Sequence, residues 1–136
     1  MSFKIKLDHI GIATPEITDS NFFKLLGLAD GGAEEVPTEK VKVGFYGTDN
    51  GANIELLEPT SDESPIAKFL DKRGAGIHHI CFRVENIDEM VQMLKSKDIK
   101  LINEEPRVGA HNCRVVFIHP KSTGGVLVEL SEKVDS

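Results

Sequence analysis

Apolar and polar positions alternate along KIKLDHIGIA (4–13): Ile5, Leu7, His9, Gly11 and Ala13 fall on one side, Lys6, Asp8, Ile10 and Ile12 on the other. A period of two sends successive side chains to opposite faces, so this segment predicts a strand. In ATPEITDSNFFKLLG the pattern changes. Pro15 suits a turn, Phe22, Phe23, Leu25 and Leu26 supply an apolar stripe, and Gly27 closes a predicted helix. VPTEKVKVGFYG (36–47) reads as a strand with a turn before it. Asn50-Gly51 marks a hairpin, and NIELLEP (53–59) returns as a strand ended by Pro59. Residues 60–76 read as a linker, with a short helix from Ser64-Pro65 through Leu70 released by Gly74 and Gly76.

The order then repeats. IHHICFRV (77–84) predicts a strand, and NIDEMVQMLKSKDI (86–99) a helix with Ile87, Met90, Val91 and Leu94 on one face. CRVVFIHP (113–120) predicts a strand, STGG (122–125) a turn and VLVELS (126–131) the closing strand. The pattern predicts an α+β fold: a first module at about 4–60, a linker helix at 61–75 and a second module at about 76–132. Two similar modules of this size suggest one domain over 1–136, packed about a pseudo-twofold.

The repeat also carries chemistry. His9 sits in DHIGIA and His79 in HHICFRV, while Glu55 sits in NIELLEP and Glu129 in VLVELS. A carboxylate inside a strand of Ile, Leu and Val is costly to bury unless a charged partner meets it. A lone strand histidine is more often a hydrogen-bonded core residue. Two histidines and two glutamates in duplicated positions point instead to one divalent ion, with Co²⁺, Ni²⁺, Mn²⁺ and Zn²⁺ all compatible. By alternation His9 shares a face with Gly11 and Ala13, and His79 with Cys81 and Arg83, leaving room for a cavity. His78 falls on the reverse, apolar face, so His79 is the expected ligand. Glu55 lies with Asn53 and Leu57, and Glu129 with Leu127 and Ser131; Glu58 and Glu132, nearer strand ends, are expected to be solvated.

Composition narrows the function classes. A net charge of −6 argues against nucleic acid as the main partner. Cys81 and Cys113 have neither metal-type spacing nor a disulfide framework, and Cys81 reads as a reduced, buried thiol. No run approaches a membrane span, and MSFKIKLDHI is too charged for a signal peptide, so a cytoplasmic protein is expected.

The stretches LDHIGIATP, IELLEP, DESPIAKFL, GIHHICFRVENID, VGAHN and FIHPKSTGGVLVEL together resemble the vicinal oxygen chelate superfamily, which includes the glyoxalases, bleomycin-resistance proteins and dioxygenases. Within it the resemblance is to the methylmalonyl-CoA epimerase family and covers nearly the whole chain. It implies two βαβββ modules forming a cupped mixed sheet around a divalent metal, an acyl-CoA substrate and a homodimer. It further implies His9, His79 and Glu129 as metal ligands, with Glu55 at the place of a fourth. Some epimerases carry a separate catalytic glutamate on the strand before the first hairpin; here KVKVGFY (40–46) offers no acid at Val41, Val43 or Phe45.

Epimerisation needs a base on each side of an enolate, so Glu129 and Glu55 are the expected pair. His111 in the GAHN loop is a candidate for the substrate carboxylate, its alternative a surface histidine. Lys121 and Ser122 in HPKSTGG are candidates for acyl or phosphate groups, their alternative a solvated hairpin. Arg83 is a candidate for an anion or a metal-site carboxylate. Three other activities stay open: a glyoxalase using the same metal cup on a hemithioacetal, a drug-binding resistance protein without metal, and a thiol transferase that inactivates fosfomycin. The His9/His79/Glu129 set weighs against the second, and Glu55 against the third.

Overall fold

The computed structural model describes residues 4–19, 21–108 and 112–134. The chain divides into two compact units: 9–78, and 1–8 with 79–136.

The first unit takes the larger part of strand β1 (Ile5–Ala13), helix α1 (Phe22–Leu26), strands β2 (Ala29–Val36), β3 (Val41–Gly47) and β4 (Asn53–Pro59), and helix α2 (Pro65–Arg73). Its strands lie in the order β2-β3-β4-β1, with β1 parallel to β4 and the other pairs antiparallel. The β3–β4 hairpin turns at Asn50-Gly51 as expected, with Gly51 at φ 90°. At Gly44 an added Cβ would stand 3.1 Å from the Ile17 side chain, so the bare backbone of β3 lets the 3₁₀ turn Ile17–Asp19 settle on the sheet. In α2, Ser64 accepts the Ile66 N–H as N-cap and Pro65 opens the helix. Its Ile66 joins Ala13, Val41, Val43 and Leu57 in a buried cluster.

Two features of this unit differ from the sequence pattern. Gly27 ends α1 in the left-handed conformation, as expected, but the apolar stripe buries nothing: Leu25 is 78% exposed, and Phe22 and Leu26 are exposed too. A five-residue helix has barely one turn to present to the sheet, and only Phe23 reaches inward, to Tyr46. Strand β2 is absent from the expectation altogether. ADGGAEEV shows no alternation because every residue but Val36 is exposed on an edge, where one neighbour supplies the hydrogen bonds and no core selects the side chains.

The second unit holds β5 (Gly76–Val84, from His79 on), helix α3 (Ile87–Ser96), and strands β6 (Arg107–Val108), β7 (Cys113–Ile118) and β8 (Leu127–Lys133). Its order is β5-β8-β7-β6, again parallel at β5/β8 and antiparallel elsewhere, so the strand pattern of the first unit recurs in a mixed sheet. Ile87, Met90 and Val91 of α3 are buried against Val84, Val116, Ile118 and Leu130. These strand positions have the opposite parity to His79 and Glu129, so the helix covers the reverse face and the polar pair keeps the other. Among the described residues no helix is long and apolar enough to cross a membrane.

Candidate metal centre and active site

The same register occurs in both units. On β1, Gly11 pairs with Glu55 of β4, so His9, two residues earlier, stands diagonal to Glu55 on one face. On β5, Cys81 pairs with Glu129 of β8, and His79, again two residues earlier, stands diagonal to Glu129. Each glutamate has a phenylalanine opposite it on its other side, Phe45 for Glu55 and Phe117 for Glu129.

The side chains follow the register. His9 Nδ1 lies 3.3 Å from Glu55 Oε2, at 12% and 16% exposure; His79 Nε2 lies 3.7 Å from Glu129 Oε1, at 12% and 17%. Carboxylates this shielded need cationic company. Imidazole nitrogen and carboxylate oxygen are donors that a divalent first-row ion accepts, and each unit offers one of each on one face. Two donors bound at ordinary metal–ligand lengths stand roughly 3.0–3.4 Å apart. Both pairs are therefore close to the spacing of neighbouring ligands, and the residues present fit a metal.

The other candidates divide. His78 packs edge-on against Phe69 of α2, with ring centroids 5.1 Å apart, consistent with its assignment to the face away from His79. Burial pushes its imidazole below the ordinary value of 6.5. Below that pH the unfolded chain takes up a proton that folded His78 resists. Its share of stability is present above 6.5 and lost as pH falls from there toward the depressed folded value. Denaturant titrations across that window are expected to show a steeper loss of stability for the natural chain than for His78→Gln.

Arg83 points one guanidinium nitrogen at Asp8 Oδ1, 3.1 Å away, so it has a carboxylate partner that the sequence pattern did not single out. Ser122 Oγ accepts the Lys100 N–H at 2.9 Å, and Lys121 is exposed, its backbone N–H bonded to His119 Nδ1. His111 lies outside the described residues. The expectation of solvated strand-end acids is corrected for Glu58, which accepts the Ile17 N–H at 2.7 Å and ties the 3₁₀ turn to β4. Glu132 is likewise only 24% exposed and lies 3.8 Å from Arg114. Both partners come from distant sequence positions, so neither could be read locally.

Comparison with known proteins agrees with this geometry. The profile of the Glyoxalase/Bleomycin resistance protein/Dioxygenase superfamily matches residues 8–117. The mitochondrial methylmalonyl-CoA epimerase of Dictyostelium discoideum is 44% identical over 134 residues, covering 94% of this chain and 78% of that protein. The crystal structure of methylmalonyl-CoA epimerase from Mycobacterium tuberculosis superposes with a TM-score of 0.83 at 37% identity, covering 95% of this chain and 88% of that one. A variant of the Streptomyces coelicolor methylmalonyl-CoA epimerase, in complex with 2-nitronate-propionyl-CoA, gives 0.81 at 31% identity, over 96% and 98%. A profile match over most of the length, and a likeness in sequence and fold that runs nearly end to end, establish that this chain belongs to the glyoxalase/bleomycin resistance/dioxygenase superfamily.

Proposed function

We propose that this protein is a metal-dependent epimerase that interconverts (R)- and (S)-methylmalonyl-CoA. The observation that carries the reading is the duplicated register that sets a histidine and a glutamate side by side in each unit. It is supported by relatives at about 40–44% identity that are methylmalonyl-CoA epimerases, and by a structural neighbour that binds an acyl-CoA analogue.

The reacting carbon lies between a thioester and a carboxylate. Its proton must leave from one side and return on the other, through an enolate. His9, Glu55, His79 and Glu129 would hold one divalent ion, which would supply Lewis-acid stabilisation of negative charge on the substrate oxygens. Inversion requires a proton carrier on each face, and Glu129 and Glu55, the matched carboxylates of the two repeats, fill those roles. A carboxylate has two oxygens, so binding an ion through one leaves chemistry for the other. Phe45 and Phe117 stand opposite the two glutamates in register and give each carboxylate an apolar neighbour. Lys121 and the Ser122 hydroxyl contact the substrate's anionic groups, and His111 its carboxylate. The protein works as a cytoplasmic homodimer, and the buried thiols Cys81 and Cys113 suit a reducing compartment.

Proton NMR of methylmalonyl-CoA in D₂O tests this. Metal-loaded protein is expected to erase the C2 proton signal, EDTA to stop the exchange, and added Co²⁺ to restore it. No exchange from protein with a verified bound metal would overturn the reading, and the hemithioacetal of glutathione and methylglyoxal would then be the substrate to try.

A further inference from the structure

The four arginines of the chain meet their surroundings in three ways. Arg114 is held by both oxygens of Asp88, at 2.8 and 2.9 Å. Arg73 and Arg107 are exposed, each lying over a phenylalanine ring, Phe69 and Phe117, at 5.8 Å from the centroid. Arg83 is different. Its Nη2 donates to Asp8 Oδ1 at 3.1 Å, while its Nε is shielded from solvent and has no acceptor. Among the described residues it is the one buried side-chain nitrogen or oxygen in that condition. A charged donor stripped of water and left without an acceptor is costly, so it marks a place where an acceptor is due from outside the fold.

The position of Arg83 narrows what that acceptor is. Along β5, Arg83 shares a face with His79 and Cys81, and it pairs with Ser131 of β8 as Cys81 pairs with Glu129. Two residues along a strand span about 6.6 Å, a gap that a long side chain closes. The same level of the first unit is apolar. There Leu57 pairs with Ala13 on one side and Val43 on the other, and Ile66 of α2 is buried with all three. In the second unit that level carries Arg83 and the buried Ser131, while α3 packs on the reverse face. The repeat is thus apolar and plugged in one copy and cationic in the other.

We infer that Arg83 binds the free carboxylate of the substrate, its Nε–H donating to one carboxylate oxygen while Asp8 holds Nη2; this rests on the acyl-CoA epimerase reading above. That carboxylate is bonded to the reacting carbon, so a ligand with its C2 beside Glu129 brings it to the neighbouring level of the sheet. Loss of the C2 proton places a second negative charge next to the carboxylate, and a guanidinium there offsets both. The bond to Asp8 fixes the guanidinium beforehand, so less freedom is lost on binding.

Calorimetry on metal-loaded protein tests this with methylmalonyl-CoA and propionyl-CoA, which differ only by the carboxylate. Arg83→Gln is expected to weaken methylmalonyl-CoA binding about tenfold or more, the loss of one charge-assisted contact, and to leave propionyl-CoA binding within twofold. Its metal content, by elemental analysis, is expected to equal that of the natural chain. Where Arg83→Gln leaves Asp8 uncompensated and does not fold, the double variant Arg83→Gln/Asp8→Asn removes both charges and carries the same expectation. Unchanged affinity for methylmalonyl-CoA would overturn the inference, as would an equal loss for both ligands or a loss of bound metal. D₂O exchange on the same samples separates this from the reaction assignment. A natural chain that binds methylmalonyl-CoA through Arg83 but exchanges no C2 proton would sink the epimerase reading alone. One that exchanges it while Arg83→Gln binds as tightly would sink the Arg83 inference alone.

Discussion

Glu129→Gln is expected to lower C2 proton exchange by about 10³-fold or more, because the change removes the negative charge of a proposed metal ligand and a proposed proton carrier at once; a general base alone contributes roughly 10²–10⁴-fold. Gln has nearly the same shape and accepts hydrogen bonds, so packing opposite Phe117 and Cys81 is preserved. The loss then reports charge and basicity, not fold. Glu55→Gln is expected to behave differently. An amide oxygen still binds a metal, so the ion stays, measurable by elemental analysis of the dialysed protein. The proton carrier on one face of the enolate is gone, so one stereoisomer exchanges more slowly than the other. Wild-type rates for both stereoisomers in Glu55→Gln would remove Glu55 from the chemistry and leave it as a ligand only.

The second large effect concerns stability. Ile87 is fully buried at the start of α3, packed with Met90, Val91, Val84, Val116 and Leu130. Ile87→Ala deletes three methyl or methylene groups from a close-packed cluster and leaves a cavity, at an expected cost of about 2–5 kcal/mol. That is a large part of the ~5–15 kcal/mol that typically separates folded from unfolded chains. Urea denaturation measures it, with the exposed Glu89→Ala on the same helix expected to change stability by less than about 0.5 kcal/mol. The cluster occupies the face of the sheet away from His79 and Glu129. At temperatures where Ile87→Ala remains folded, its metal content and exchange rate should therefore equal those of the natural chain. A fall in metal content without unfolding would show that α3 packing orients the ligands.

What could be read from the residues alone was whatever depends on local periodicity. Alternation assigned His9, His79, Glu55 and Glu129 to their strand faces, separated His79 from His78, and placed Ile87, Met90 and Val91 on the buried side of α3. Asn50-Gly51 and Gly27 announced their turns because few residues tolerate a positive φ. The repeat was visible because the same alternation occurs twice with the same chemistry inside it. The tertiary structure decided what depends on register between distant segments. It set His9 diagonal to Glu55 and His79 diagonal to Glu129, and put a phenylalanine opposite each glutamate. Arg83 met Asp8, Glu58 met the Ile17 amide, and Arg107 came to rest on Phe117. It also supplied β2 and the two-residue β6, edge strands with no buried face to impose a pattern on their side chains, and left the stripe of α1 in solvent. A strand's own residues determine which way each side chain faces. Which neighbour it meets is settled only when the chain folds back, since a shift in register trades every cross-strand partner at once.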